Sequence, residues 1–244
     1  MRERPPVLVT RAEPGAARTC ETLARLGYRA VNAATARIEP MDARPDWSAA
    51  SAIIVTSPNG AARLAALGAP PHLPVYAVGE ASARAAREAG HGTVITGTGD
   101  AAGLLDVILA ASPDAPARQG RIIHLRGADQ AFDLAGALHA LGRPTDSHVV
   151  YRARAVDGLS QEASAALGPD AIVLIHSPLG AERLLEQTER AGRLSALAAA
   201  RVIAISDAAA APLRRAGAGR ITLAARPDEA SLLDALAAIC PPHA

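Results

Sequence analysis

The chain has 244 residues, with 25 Lys+Arg against 24 Asp+Glu and a formal net charge of +1, and every basic residue is Arg. Without lysine, the chain can form neither a lysine Schiff base nor a phosphate loop that ends in Gly-Lys-Ser/Thr. The near-zero net charge and an aromatic content of 2% argue against a phosphate-tracking surface or a base-stacking platform, so no nucleic-acid partner is expected.

Targeting signals and metal-binding patterns are not found in the sequence. The N-terminal run Val7–Val9 is too short for a signal peptide, and no charge-free apolar run approaches the roughly 18–20 residues of a membrane span. The two cysteines, Cys20 and Cys240, are far apart, and the 7 His residues show no HxxH or HExxH spacing, so no metal site is predicted. We therefore expect a soluble cytoplasmic protein that does not associate with membranes.

Short apolar runs alternate with Ala-, Arg- and Glu-rich segments of helical period. Each run is predicted to be a parallel strand buried on both faces, because it is almost entirely apolar. The predicted strands are Val7–Val9, Ile53–Val55, Val75–Val78, Val94–Ile95, Ile122–Leu125, Val149–Tyr151, Ile172–Ile175, Val202–Ile205 and Ile221–Leu223. The predicted helices are 14–26, 58–67, 80–89, 101–111, 129–141, 161–167, 178–191, 207–216 and 229–239. This alternation predicts an α/β fold with parallel sheets.

The chain also repeats itself in the order A–B–A′–B′. VLVTR at 7–11 corresponds to IIHLR at 122–126, and TSPNGAARL at 56–64 corresponds to HSPLGAERL at 176–184. Each A-plus-B set supplies about five strands, the size of one flavodoxin-like sheet. Tandem domains would divide near 112–120, whereas swapped domains would cross over near 36–40 and 149–154. The repeat permits both arrangements, and two lobes of either kind imply a cleft that suits a ligand.

Polar turns follow the strands in both copies. Thr56, Ser57, Pro58, Asn59 and Gly60 form one strand-to-helix turn, and His176, Ser177, Pro178, Leu179 and Gly180 repeat it. Serine can cap each helix and proline suits its first turn, which leaves backbone N–H groups available to an anion. A second pair of junctions contains Gly79 with Ser82, and Ser206 with Asp207. A Ser-Pro pair can also simply start a helix, so both interpretations stay open.

Four further residues are candidates because of where they stand. Arg11 and Arg126 follow strands at equivalent places, and each is either a surface charge or a bidentate carboxylate ligand. His124 lies inside a strand and is expected to be a hydrogen-bonded core residue. Tyr151 stands at one possible crossover, where it could plug a hinge or donate a proton, since a pKa of about 10 keeps a phenol protonated at neutral pH.

These motifs, in this order, resemble the uroporphyrinogen-III synthase family. The matching stretches are VLVTRAEPGA at 7–16, IIVTSPNGAARL at 53–64, YAVGEASARAAREAG at 76–90, IHLRGADQAFDLAGALHALG at 123–142, VVYRAR at 149–154 and IHSPLGAERL at 175–184. The resemblance runs essentially from end to end, and the order and spacing of these short motifs make it specific.

The resemblance implies two flavodoxin-like parallel-sheet domains with swapped C-terminal parts. The first domain would comprise residues 1–35 and 155–244, and the second would comprise 41–148. The segments 36–40 and 149–154 would form a two-strand interdomain linker. We expect the protein to be a monomer.

The resemblance also implies a reaction. The family's substrate is hydroxymethylbilane, a linear tetrapyrrole rich in carboxylates, which loses its terminal hydroxyl as water. The last pyrrole is inverted through a spiro intermediate, and the macrocycle closes to uroporphyrinogen III without a metal or organic cofactor. Tyr151 matches the family's tyrosine, which is placed to assist loss of the hydroxyl. The expected substrate-binding residues are Arg11, Thr56, Ser57, Asn59, Gly60, Gly79, Ser82, Arg126, Gly127, His176, Ser177 and Ser206.

The second copy departs from the family pattern at one junction. The threonine hydroxyl of the family is missing at Ala209, and Asp207 adds a negative charge. Ser206 is the candidate replacement for that hydroxyl. Two alternatives stay open: a non-enzymatic two-lobed sensor of a small anionic ligand, which closes about a hinge and needs no catalytic tyrosine, and a nucleotide-dependent transferase. The transferase is disfavoured because lysine and a GxGxxG turn are both missing.

Overall fold

The computed structural model describes residues 4–111, 120–130 and 132–241. The chain divides into two compact units: unit 1 contains the residues up to Ile38 together with those from Arg154 onward, and unit 2 is Glu39–Ala153. Each unit contains a parallel sheet with helices packed against it, which confirms the predicted α/β class. The stretch near 112–120, where tandem domains would divide, lies almost entirely outside the described residues.

The elements follow one another as strands and helices in near-regular alternation. The strands are β1 Pro6–Val9, β2 Arg29–Asn32, β3 Ala36–Pro40, β4 Ala50–Val55, β5 Val75–Ala77, β6 Val94–Thr96, β7 Arg121–Gly127, β8 Thr145–Ala155, β9 Ile172–Ile175, β10 Arg201–Ala204 and β11 Ile221–Leu223. The helices are α1 Gly15–Arg25, α2 Pro58–Ala61, α3 Glu80–Glu88, α4 Ala101–Ala111, α5 Leu134–Ala140, α6 Gln161–Ala166, α7 Pro178–Arg190, α8 Leu194–Ala199, α9 Asp207–Arg215 and α10 Glu229–Ile239.

The sheet of unit 1 has the order β11-β10-β9-β1-β2, and all of its pairings are parallel. Successive side chains of a strand point to opposite faces of the sheet. Val7 and Val9 accordingly pack with Leu23 of α1 and Leu232 of α10, whereas Leu8 packs in a separate cluster with α6, α7 and α9. The central strands are almost wholly apolar because helices cover both faces, and the exception, Arg201 at the start of β10, is exposed.

The sheet of unit 2 has the order β3-β8-β7-β4-β5-β6, with parallel pairing from β8 through β6. Ile53 and Val55 of β4 pack on one face with Leu64, and Ile54 packs on the other face with Leu104 and residues of α5. The apolar residues of this central strand are therefore divided between two cores.

Several details differ from the predictions. The strands β6 and β11 are not buried on both faces: β6 is only half-buried, and Thr222 and Leu223 of β11 are exposed, because each lies at a sheet edge with one neighbour. The segment predicted as one helix over 58–67 is a single α-helical turn followed by a 3₁₀ turn at Ala65–Leu67. The predicted helix 129–141 begins at Leu134, after the Asp133 cap, and residue 131 lies outside the described residues.

Parallel pairing places the carboxyl ends of the strands in each sheet at one edge, and the predicted polar turns follow those ends.

In the part of the chain that the structure describes, no helix is long and apolar enough to cross a membrane.

Candidate functional site

The strand-to-helix turn after β4 is held by the hydroxyl of Ser57. Ser57 has an extended backbone and is the N-cap of α2, and its Oγ accepts a hydrogen bond from the Gly60 N–H at 3.0 Å. Glycine suits position 60 because a Cβ there would lie 3.0 Å from the backbone oxygen of Leu125 in β7, which is closer than an ordinary contact. The cap predicted from Ser-Pro is therefore present, and Gly60 allows the turn to approach the neighbouring strand.

The phenol of Tyr151 reaches this cap from β8. The Tyr151 hydroxyl lies 2.7 Å from Ser57 Oγ, a distance typical of a well-formed O–H···O hydrogen bond. Tyr151 pairs with Gly127 of β7 at a shift in the strand register. A Cβ on Gly127 would lie 2.7 Å from Cζ of the tyrosine ring, so glycine at this position makes room for the phenol.

Burial sets the protonation state of Tyr151. Removal of the phenol from water raises its pKa above the ordinary value, while the hydrogen bond with Ser57 acts in the opposite direction. Because the net pKa is raised, the group is a protonated phenol at neutral pH. It can therefore act as a hydrogen-bond or proton donor at the carboxyl edge of the unit 2 sheet.

A contact between a hydroxyl and a histidine lies one residue before the Ser57 cap. Thr56 Oγ1 is 3.4 Å from Nε2 of His124, which is fully buried in β7. The expectation of a core histidine is correct, but full hydrogen bonding is not achieved, because Nδ1 is buried without a partner among the described residues. Burial, reinforced by the positive charge of Arg126, lowers the pKa of His124 to about 4, so the ring is neutral at neutral pH.

Arg126 ends β7 beside these residues, but its guanidinium group is already engaged. Nε donates to Ser147 Oγ at 2.9 Å, and Nη1 donates to the backbone oxygen of Gly127 at 2.9 Å. The neighbouring junction after β5 has Gly79 as the N-cap of α3, with Ser82 buried in the first turn of the helix. Asn59 occupies the first turn of α2 and is half-buried. The unit 2 candidates thus lie along the carboxyl ends of β4, β5 and β7, together with Tyr151 of β8.

In unit 1, Arg11 follows β1 and forms an ion pair that the sequence did not reveal. Its Nη1 lies 2.7 Å from Oε2 of Glu229 and 3.3 Å from Oγ1 of Thr19, and Thr19 in turn donates to the other oxygen of Glu229. Burial alone would raise the pKa of Glu229, but the hydrogen bond from Thr19 and the charge of Arg11 outweigh it and lower the pKa. Glu229 and Arg11 are separated by 218 residues, so no local pattern could have paired them.

His176 lies at the end of β9, next to this ion pair. Both ring nitrogens are buried and have no hydrogen-bond partner among the described residues. Burial, followed by the repulsion from Arg11, lowers the pKa of His176 to about 4. The ring is therefore neutral at neutral pH, and it can accept or donate one hydrogen bond but adds no positive charge for a carboxylate.

Two of the predicted site residues of unit 1 are serine caps, of which the one at Ser177 was predicted from its Ser-Pro pair. Ser177 accepts from the Gly180 N–H at 3.0 Å at the start of α7, and Ser206 accepts from the Ala209 N–H at 3.2 Å at the start of α9. Ser206 thus supplies a hydroxyl at the junction where Ala209 has none. Asp207 forms an ion pair with Arg214 of the same helix, which partly offsets its negative charge.

Two further features of the structure bear on ligand chemistry. In the described ranges, no group of three or more His, Cys, Asp or Glu residues is arranged to hold a metal ion. A cavity of about 890 Å³ lies in unit 1 at the amino ends of its strands, where Arg4, Tyr28, Arg29 and Arg201 line it. It contains none of the predicted site residues, which lie at the opposite, carboxyl edge of the sheet.

Two units, each with a parallel sheet and serine-capped helices after its strands, define a two-unit α/β protein. The family model described as Uroporphyrinogen-III synthase HemD matches residues 17–234. The chain therefore belongs to the uroporphyrinogen-III synthase family, whose members are cyclising hydro-lyases of tetrapyrrole biosynthesis.

Solved structures of that family share the fold. The uroporphyrinogen-III synthetase from Helicobacter pylori 26695 matches with a TM-score of 0.67 and 18% identity, over 97% of this chain and 100% of that one. A mutant uroporphyrinogen III synthase from the extremely thermophilic bacterium Thermus thermophilus matches with a TM-score of 0.54 and 18% identity, over 95% of this chain and 96% of that one. No curated protein sequence is similar enough to this chain to count as a match.

Proposed function

We propose that this protein is a uroporphyrinogen-III synthase that cyclises hydroxymethylbilane with loss of water and inversion of the terminal pyrrole. The observation that carries this proposal, beside family membership, is the protonated phenol of Tyr151 held 2.7 Å from the Ser57 hydroxyl. A two-lobed sensor of a small anion has no need of such a phenol. The site supports an enzyme more directly than it supports the sensor.

Tyr151 assists departure of the terminal hydroxyl. The phenol gives its proton to the hydroxyl oxygen, the carbon–oxygen bond breaks with its electron pair on oxygen, and water leaves. The pyrrole nitrogens delocalise the cation that remains, so a weak acid is sufficient. The phenolate recovers a proton when the inverted ring closes the macrocycle and loses its α-proton.

The junction residues hold the carboxylates of the substrate. Helix N-termini favour anions because their first N–H groups have no partner within the helix. In unit 1, Arg11 and the hydroxyls of Ser177 and Ser206 are the proposed ligands, with neutral His176 as a hydrogen-bonding partner. In unit 2, Thr56, Asn59, Gly79, Ser82 and Arg126 are the proposed ligands. This binding holds the terminal pyrrole close to the carbon that loses the hydroxyl, so that the ring attacks in the inverted orientation. Positioning of this kind accelerates the reaction that gives the rearranged isomer.

The finer organisation is also proposed. The division of the chain at Ile38/Glu39 and at Ala153/Arg154 supports two domains, 1–35 with 155–244 and 41–148, linked by 36–40 and 149–154. The net charge of +1 supports a small-molecule substrate over nucleic acid. We expect a cytoplasmic monomer, which sedimentation of the purified protein and fractionation of its source cells would test.

The isomer ratio of the cyclised product tests the function. Hydroxymethylbilane closes without an enzyme to the unrearranged isomer, so we expect this protein to give the rearranged isomer as the main product. Tyr151→Phe should lower kcat by about 10²-fold, the lower end for loss of a general acid, with a smaller change in KM. A product consisting only of the unrearranged isomer, formed at the uncatalysed rate, would rule the synthase out and favour the sensor. Unchanged turnover in Tyr151→Phe would instead make the phenol structural.

A further inference from the structure

The hydroxyl of Ser57 joins a backbone amide to the proposed acid. Its Oγ accepts from the Gly60 N–H at 3.0 Å and lies 2.7 Å from the hydroxyl of Tyr151, which comes from a strand 94 residues away in sequence. Ser57 is half-buried, and Tyr151 packs against the hydrophobic core of unit 2. The oxygen of Ser57 is therefore fixed by the helix cap before any substrate binds.

Either hydroxyl can be the donor of this hydrogen bond, and counting protons shows which acceptors the Ser57 proton has within reach. A serine hydroxyl has one proton and two lone pairs, and the Gly60 N–H occupies one lone pair of Ser57. Among the residues that the structure describes, Gly60 and Tyr151 are the partners of Ser57 Oγ. The first turn of a helix presents N–H donors, not acceptors, so the phenolic oxygen is the acceptor within reach of the Ser57 proton.

From this arrangement, we infer that Ser57 is a positioning residue that donates to the phenolic oxygen of Tyr151 and so turns the phenol proton toward the leaving hydroxyl of the substrate. This inference rests on the proposed function. When the phenol proton moves to the leaving oxygen, the electron pair of the O–H bond stays on Tyr151. The Ser57 donor then stabilises the phenolate until it regains a proton at ring closure.

Gly127 limits the other positions that the phenol can take. A Cβ at Gly127 would lie 2.8 Å from the Tyr151 hydroxyl, so the ring already lies against the backbone of β7. The backbone oxygen of Tyr151 also accepts from the Ala128 N–H at 2.9 Å. The ring thus lies against a strand, with Ser57 fixing the direction of the O–H bond.

Two measurements on the full chain test the inference. The first is the titration of the Tyr151 phenol by ultraviolet absorbance in the absence of substrate, taken as the difference between each protein and its Tyr151→Phe counterpart. The second is kcat and KM with hydroxymethylbilane. Ser57→Ala and Ser57→Gly both remove the hydroxyl, and glycine keeps most of the helix-capping preference. Ser57→Thr retains the hydroxyl.

A matched control is available at another helix. Ser160 caps α6 by accepting from the Ala163 N–H at 3.1 Å, as Ser57 caps α2. Ser160→Ala therefore removes a serine cap without touching Tyr151, and it should leave both the phenol titration and kcat at the wild-type values.

Loss of the Ser57 hydroxyl should move the phenol titration to higher pH, because the hydrogen bond from Ser57 lowers the pKa of Tyr151. We expect kcat to fall about tenfold with KM within about threefold, and Ser57→Thr to restore both the titration and kcat. In a Tyr151→Phe background, Ser57→Ala should change kcat less than about twofold, because the two residues act as one unit.

The possible failures are distinguishable. An unchanged phenol titration in both Ser57→Ala and Ser57→Gly overturns the inference. It is also overturned if Ser57→Ala lowers kcat by the same factor in the Tyr151→Phe background as in the wild-type protein. A wild-type protein that forms no rearranged product overturns the proposed function, and the substrate-free titration still decides whether Ser57 donates to Tyr151.

Discussion

Gly127→Ala should move the Tyr151 phenol without removing any of its atoms. The added Cβ would lie 2.7 Å from Cζ and 2.8 Å from the hydroxyl oxygen of Tyr151. Carbon atoms in contact prefer about 3.5–4.0 Å, so the ring or the strand must shift by about 1 Å. The hydrogen bond to Ser57 measures 2.7 Å, and good O–H···O bonds span only about 2.5–3.0 Å. A displacement of this size breaks or misdirects that hydrogen bond.

The expected cost falls on turnover more than on stability. A misplacement of about 1 Å can reduce a rate by about 10²-fold, so Gly127→Ala should approach the effect of Tyr151→Phe. Overpacking costs about 1–3 kcal/mol in a tight core. We expect the lower end here, because Tyr151 is only half-buried and can yield toward solvent.

The assay compares kcat, isomer ratio and urea midpoint in Gly127→Ala and in Gly92→Ala. Gly92 belongs to unit 2 and has no atom within 4 Å of an added Cβ, so it controls for the extra methyl group alone. Wild-type kcat with an unchanged Tyr151 titration in Gly127→Ala would show that the phenol has room to spare and that its exact placement does not matter for turnover.

Two further predictions concern charge. The pKa values of His124 and His176 are about 4 in the folded chain, against about 6.5 in the unfolded chain. Between these two pH values the unfolded state binds more protons than the folded state does. The free energy of unfolding should therefore fall as the pH drops from about 6.5 to about 4, by at most roughly 3 kcal/mol for each residue. Urea titrations at several pH values measure this slope, and His124→Phe should remove about half of it; an unaltered slope would mean that His124 is not the group that titrates. Glu229→Gln should lower KM by about two- to fivefold, the range for loss of one ion pair that is not fully buried, because in the proposed site the Glu229 carboxylate competes with the substrate for Arg11. A higher KM would show instead that Glu229 orients Arg11.

The elements that could be predicted are those whose signal is local. The run Ile53–Val55 is a strand because helices cover both of its faces, and the cap at Ser57 follows from the Ser-Pro pair after it. The strand β2 was missed because RAVN carries polar and charged residues, which an apolar-run criterion rejects. The same criterion rejects ARIEP of β3, and only the family resemblance predicted a strand there, as part of the linker at 36–40. The helix α8, a short Ala-rich segment next to α7, has no capping side chain to mark its start.

The candidate site was predictable in composition but not in contacts. Tyr151 and Ser57 were each found from their own motif, yet 94 residues separate them, and only the register of β8 against β7 brings them together. Gly127 matched the family only as a substrate contact, whereas the structure gives it a steric reason. Glu229 and Thr19 were missed because their carboxylate and hydroxyl face Arg11 from α10 and α1, and neither helix carries a motif for that contact.

The serine caps at equivalent junctions of the two units have different surroundings. At Ser57 and at Ser177 a glycine N–H three residues later occupies one lone pair, at 3.0 Å in both. The serine proton therefore has to find an acceptor elsewhere. Ser177 is exposed, so its proton can meet water, whereas Ser57 is half-buried and its Oγ lies 2.7 Å from the phenol that we infer to be its acceptor. Under the proposed function, the junction at Ser177 binds a substrate carboxylate, whereas the junction at Ser57 holds the acid Tyr151. In the proposed mechanism the departing hydroxyl leaves a pyrrole-stabilised cation, so a phenol of raised pKa, which is protonated at neutral pH, is acidic enough for that step.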